Sequence, residues 1–186
     1  MLYFFNHSPL KFRMRTTFTL THVQFESEDG LFGQLLALST LAPFFIFAYQ
    51  FFILIEHKSQ ISFKRERFFC LIGLLGNEVI NQILKRTLKH QRPPESERRD
   101  YGMPSSHSQF ISFWAIYWLL HNIPTLSRVM IISVAIVVAY SRHHLCYHSL
   151  DQIIVGMVVG GMAAYIWKTQ SRKIKLGFAL FRGCSF

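Results

Sequence analysis

Residues 30–55 read GLFGQLLALSTLAPFFIFAYQFFILI, and nothing in them is charged. A bilayer core takes about 20 consecutive apolar residues to cross, so this run is long enough to span one. Pro43 near its middle is expected to kink the span rather than end it, because a neighbouring helix re-satisfies the carbonyl that proline leaves without a donor. Further apolar runs follow at 68–84 (interrupted by Glu78), 108–120, 129–140 and 153–167. One such run is compatible with a buried helix of a soluble domain, but five in 186 residues are not. The pattern predicts an all-α fold, a polytopic transmembrane helical bundle of about five spans. The third and fourth runs are short for a full crossing. They either extend into their polar flanks or cross a thin bilayer such as that of the endoplasmic reticulum.

Composition agrees. Apolar types make up 51% of the chain and Phe alone occurs 19 times, while the net charge is +10. That charge lies scattered between the apolar runs rather than in a stripe, which argues against nucleic-acid binding. Cys70, Cys146 and Cys184 are too few and too scattered for a disulfide framework or a zinc site, and Cys70 is expected to pack within a helix. The N-terminal aromatics are too broken to read as a signal peptide. The organisation expected is an N-terminal segment over 1–29, a membrane domain over 30–168 and a basic cytoplasmic tail over 169–186. Lys58, Lys64, Arg65 and Arg67, with Lys168, Arg172, Lys173 and Lys175, mark one side as cytoplasmic. Loop 85–107 lies on the other side yet is basic, with Lys85, Arg86, Lys89, Arg92, Arg98 and Arg99 against three acids. An anionic substrate is a local reason for that breach. The N-terminal Lys11, Arg13 and Arg15 count against this orientation.

Three polar groups sit at span ends on that side. Lys85 and Arg92 close the second run, and two helical turns would bring them to one face, where a point charge and a planar fork hold a phosphoryl group. Ser105, Ser106 and His107 open the third run; a helix start offers free N–H groups to an anion, and His107 stands where a proton donor meets a leaving oxygen. Arg142 and His148 flank the last turn. Asp151 and Gln152, three and four residues beyond His148, are each placed to touch its ring, so that the other nitrogen becomes a nucleophile. A metal site built on His143, His144 and His148 is the weaker reading, since no carboxylate group is placed to complete it.

Taken in order, Lys85…Arg92-Pro93, Pro104-Ser105-Ser106-His107 and Ser141-Arg142…His148 resemble the three-part motif of the type-2 phosphatidic acid phosphatase superfamily. Thr19 to Val23, Asn77-Glu78, Tyr101 to Phe110 and Tyr147-His148 with Gln152 are similar to the dolichyldiphosphatase family within it. The resemblance implies that His148 attacks phosphorus, that His107 protonates the leaving group, and that Lys85, Arg92, Ser105, Ser106 and Arg142 hold the phosphoryl oxygens. It implies no metal and no cofactor. The substrate implied is a polyprenyl (dolichyl) diphosphate in the bilayer of the endoplasmic reticulum, with the site facing the lumen and the product recycled as a glycosyl carrier.

Two departures stand out. The wider superfamily has an aspartate four residues after the nucleophile, where this chain has Gln152; a diphosphate releases a weakly basic phosphate ester and needs less push from its nucleophile. The first motif closes the second run here and the third span in the usual family core. Competing readings are a phosphatase for phosphatidate or sphingoid phosphates, a non-catalytic scaffold, or a transporter using Asn77, Glu78, Asn81 and Gln82, which equally suit a structural hydrogen-bond network. Asn6-His7-Ser8 is a candidate glycosylation acceptor weakened by Pro9. Oligomeric state is not legible.

Overall fold

The computed structural model describes residues 15–18, 23–56, 60–96 and 98–183, with side chains placed within 28–174. Lys11, Arg13, Lys58, Cys184, the 6–8 acceptor and most of the 19–23 stretch lie outside the described residues. The membrane body is all helical. Ahead of it lies a feature the apolar runs do not reveal, an antiparallel hairpin of β1 (Arg15–Phe18) and β2 (Val23–Glu26), with Arg15 opposite Glu26.

The run at 30–55 is two helices, α1 (Gly30–Leu38) and α2 (Ala42–Ile55), joined by a 3₁₀ turn at Ser39–Leu41. Pro43 stands in the first turn of α2, where a missing N–H costs no helical bond. Then follow α3 (Ile61–Leu88), α4 (Ser106–Leu119), α5 (Thr125–His144) and α6 (Leu150–Gly183). Among the described residues four stretches, 30–55, 61–88, 125–144 and 150–174, are long and apolar enough to cross a membrane. The fourth run does extend into its flanks, whereas α4 keeps 14 residues and rises only about 21 Å. Leu31, Phe44, Leu126 and Tyr165 present broad apolar surface outward, which suits lipid and not water.

α4 stays short because it is the axis of the bundle rather than a lipid-facing wall. Ile111, Phe113, Ala115 and Tyr117 are buried, and α6 lies against it along Gly156 and Gly160. A Cβ at Gly160 would sit 2.1 Å from the Gln109 carbonyl oxygen, so the two backbones touch. On its other side α4 is tied to α3. Asn81 donates to Gln109 Oε1 (2.8 Å) and Pro104 O (3.2 Å), and Gln109 Nε2 donates back to Asn77 Oδ1 (2.9 Å). Asn77 and Asn81 are therefore structural ties, while Glu78 and Gln82 are exposed and bonded to each other.

At the opposite end from the three polar motifs, Glu66 Oε2 accepts from Lys168 (3.0 Å) and Tyr117 (3.2 Å), and His121 Nε2 lies 3.1 Å away. Lys168 is 4% exposed, so it clamps α6 to α3 instead of serving as a solvated tail charge. α6 continues through residue 168 without a break. Cys70 is buried in α3, as expected.

Candidate active site

The C-terminal ends of α3 and α5 and the N-terminal ends of α4 and α6 meet at one end of the bundle, and all three motifs lie there. His148 is held by the turn before α6. Its backbone N–H and that of Tyr147 both donate to the Arg142 carbonyl (3.1 Å each), while Leu145 N donates to Ser141 O (3.0 Å). Cys146, with φ 57°, makes the reversal. The imidazole is buried, 3% exposed.

The tautomer follows from the neighbours. Gln152 Nε2 donates to Gln91 O (2.7 Å) and faces His90 Nδ1 (3.1 Å), which turns Gln152 Oε1 toward His148. That oxygen only accepts, so His148 Nδ1–H donates to it at 3.0 Å. Nε2 is left with its lone pair, and Arg92 Nη1 donates to it at 2.8 Å. Of the two acceptors expected near the ring, Gln152 makes the contact. Asp151 is exposed and turns to His90 Nε2 at 3.9 Å, because one helical position rotates it away from the ring. Burial, and after it the Arg92 charge, push the His148 imidazole down to about 3. It is neutral near pH 7.

Arg92 does not reach the site from a helix. α3 ends at Leu88, and Lys89 caps it in the left-handed region (φ 48°), its N–H on Lys85 O. The shared helical face expected for Lys85 and Arg92 is thereby lost, and residues 89–92 run out instead, pairing Gln91 with Tyr101. Arg92 arrives from that segment with its fork on Asp100, Nε to Oδ1 at 2.7 Å and Nη2 to Oδ2 at 3.1 Å, and Nη1 also on Tyr147 O at 2.9 Å. Burial alone would raise the Asp100 carboxyl, but the Arg92 hydrogen bond and charge, with Lys85 and Arg98 behind them, hold it below the usual carboxylate range.

Lys85 and Arg142 are the cations left for an anion. Among the described residues neither pairs with a carboxylate. Arg142 is 3% exposed and bonds Ser141 Oγ at 3.1 and 3.2 Å. Both charges act on the His148 ring. Ser105 caps α4 with extended backbone, and its N–H donates to Gln152 O (3.0 Å), stapling the start of α4 to α6. Its hydroxyl accepts from Ser108 Oγ (3.0 Å). Ser106 and His107 open the helix. His107 Nε2 lies 3.2 Å from the Thr40 carbonyl, and its ring is within electrostatic range of Arg142 and His148.

His143, His144 and His148 do not converge: His143 is exposed, and His144 bonds Asp29 Oδ2 at 2.9 Å. Among the described residues no three metal-ligating side chains gather. Asp100 and the Thr40 carbonyl were not singled out by the sequence. Pro43 was the one signal for Thr40, and nothing marked Asp100 beyond its place in a basic loop.

The arrangement is that of a hydrolase for phosphate groups set at a membrane surface: a neutral imidazole with an oriented lone pair, a second imidazole nearby, and cations beside both. The family profile described as the PAP2 superfamily matches residues 67–175. Dolichyldiphosphatase 1 of Homo sapiens is 34% identical over 171 residues, covering 80% of this chain and 68% of that protein. Dolichyldiphosphatase 1 of Dictyostelium discoideum is 33% identical over 165 residues, with the same coverage. Among solved structures, the first transmembrane PAP2 type phosphatidylglycerolphosphate phosphatase from Bacillus subtilis shares the fold, with a TM-score of 0.64 at 18% identity over 78% of this chain and 79% of that one. The chain belongs to the PAP2 superfamily, and it is a multi-pass membrane lipid phosphatase.

Proposed function

We propose that this enzyme hydrolyses dolichyl diphosphate to dolichyl phosphate and inorganic phosphate through a phosphohistidine on His148. The observation that carries the reading is the pair of bonds on that ring, Gln152 on Nδ1 and Arg92 on Nε2. The first makes Nε2 the nucleophile. The second places a guanidinium where the terminal phosphoryl group must arrive. An incoming phosphoryl oxygen takes over the Arg92 N–H, and Lys85, Arg142 and the N–H groups at the start of α4, with Ser105 and Ser106, hold the remaining oxygens.

Nε2 then bonds to phosphorus as the bridging P–O bond breaks, and His107 gives its proton to the departing dolichyl phosphate oxygen. Water next loses a proton to His107 and attacks the phosphohistidine, which frees phosphate and restores His148. The names of the human and Dictyostelium relatives support the substrate. The basic residues Lys64, Arg65 and Arg172, at the end of the bundle opposite the site, support a lumenal active site in the endoplasmic reticulum membrane. The role that follows is recycling of the carrier lipid used in protein glycosylation.

The test is phosphate release from dolichyl diphosphate by detergent-solubilised protein in excess chelator, beside His148→Ala, with phosphatidate and a sphingoid phosphate in parallel. Release by wild type alone, with dolichyl diphosphate preferred, is expected. Equal or faster release from phosphatidate overturns the substrate, and loss of activity in chelator overturns the metal-free chemistry.

A further inference from the structure

The break in the first apolar run and His107 are joined by a single hydrogen bond, and proline chemistry accounts for it. In the 3₁₀ turn, Ala42 N–H donates to the Ser39 carbonyl. The next bond of that pattern would run from the N–H of residue 43 to the Thr40 carbonyl, and residue 43 is proline. α2 begins with Leu41 at its N-cap, whose carbonyl is the first acceptor of the α-helical pattern. Thr40 O is therefore passed over by both patterns. A carbonyl left unbonded inside a membrane protein is costly, and His107 Nε2 meets it at 3.2 Å.

A carbonyl only accepts, so Nε2 carries a hydrogen and Nδ1 is the nitrogen left for chemistry. We propose that Pro43 and the Thr40 carbonyl it vacates are a positioning device for His107, fixing the ring so that Nδ1 faces the reacting group and stabilising the protonated imidazole while the proton waits. Nε2–H stays on Thr40 throughout, and the proton given to the leaving oxygen and later taken from water passes through Nδ1 alone. The inference rests on the reading of His107 as the acid. Thr40 lies 67 residues from His107 and outside every motif. The first span thereby joins the catalytic apparatus through its backbone.

The perturbation is Pro43→Ala, which returns an N–H to position 43 and gives Thr40 O a donor within its own span. The carbonyl can accept twice, but the new bond draws Thr40 O into line with the helix and weakens its hold on His107. The expected result is a fall in kcat of about tenfold on the basic side of the pH profile, with the basic limb displaced to lower pH, since that limb reports the acid. In a His107→Ala background the same substitution costs less than about twofold, because the group it acts through is gone. Lactic acid incorporated at 43 has the alanine side chain with oxygen in place of the N–H, and it restores the wild-type profile. An unshifted profile in folded Pro43→Ala, or an undiminished loss on top of His107→Ala, overturns the device. If the alanine protein does not fold, the lactate protein carries the test, and a displaced profile there overturns it equally. A His107→Ala protein with a wild-type basic limb instead refutes the role of His107 itself.

Discussion

Gly102 controls the orientation of His148 without touching it. A Cβ built on Gly102 would lie 2.5 Å from Gln152 Oε1, 2.6 Å from its Nε2 and 2.8 Å from its Cδ. Carbon and oxygen approach to about 3.3 Å, so Gly102→Ala must push the amide by roughly 0.8 Å. The amide has little room to yield, being held by His148 Nδ1, Gln91 O and His90 Nδ1. The 3.0 Å bond to His148 would open toward about 3.8 Å, which is no longer a hydrogen bond. A lost bond with its buried donor unsatisfied costs about 2–3 kcal/mol, equivalent to about 30- to 150-fold in rate. The glycine has no positive φ, so the effect belongs to the added carbon and not to backbone strain. The assay is kcat for phosphate release, with melting of the detergent-solubilised protein measured in parallel. Gly102→Ala/Gln152→Ala should be no slower than Gln152→Ala alone, because the clash is then absent. Folded Gly102→Ala within threefold of wild type would refute the reasoning.

Further predictions concern the same site. Gln152→Asp should raise activity on lipid monophosphates relative to diphosphates, since a carboxylate on Nδ1 supplies the push that an alkoxide leaving group needs; unchanged activity on both substrates contradicts this. Asp100→Ala should lower kcat/KM by more than about tenfold by releasing the Arg92 fork, while stability falls by no more than about 1 kcal/mol because the carboxylate is half exposed. For pH, His148 is held near 3 in the folded protein against 6.5 unfolded. Its contribution to stability is complete above 6.5 and is lost as pH falls toward 3, at about 1.4 kcal/mol per unit from this group, and melting of His148→Gln should show a shallower acid slope.

The membrane architecture was written in the spacing of apolar runs, and the polar motifs singled out in the sequence gather at one end of the bundle. Local geometry was less legible. Lys85 and Arg92 were expected on one helical face, but a left-handed Lys89, which no propensity announces in a lysine, ends the helix between them. Gln152 and Asp151 are adjacent in sequence and equally plausible by spacing alone; the angle at which α6 starts, with the bonds of Gln152 to Gln91 O and His90 Nδ1, selects Gln152. Asp100 and Thr40 were invisible for a shared reason. Their roles depend on what a distant element brings to them, and the Thr40 contribution is a backbone atom with no side-chain signature. The Glu66, His121 and Lys168 cluster likewise joins residues up to 102 apart, which periodicity cannot connect.

The bond formed at His148 is the central step of the proposed reaction. Quenching the enzyme during turnover of dolichyl diphosphate labelled in its terminal phosphate should trap label on the protein that is stable to alkali, labile to acid and absent from His148→Ala. Turnover by wild type with no such label at rapid quench, or the same label on His148→Ala, would contradict it.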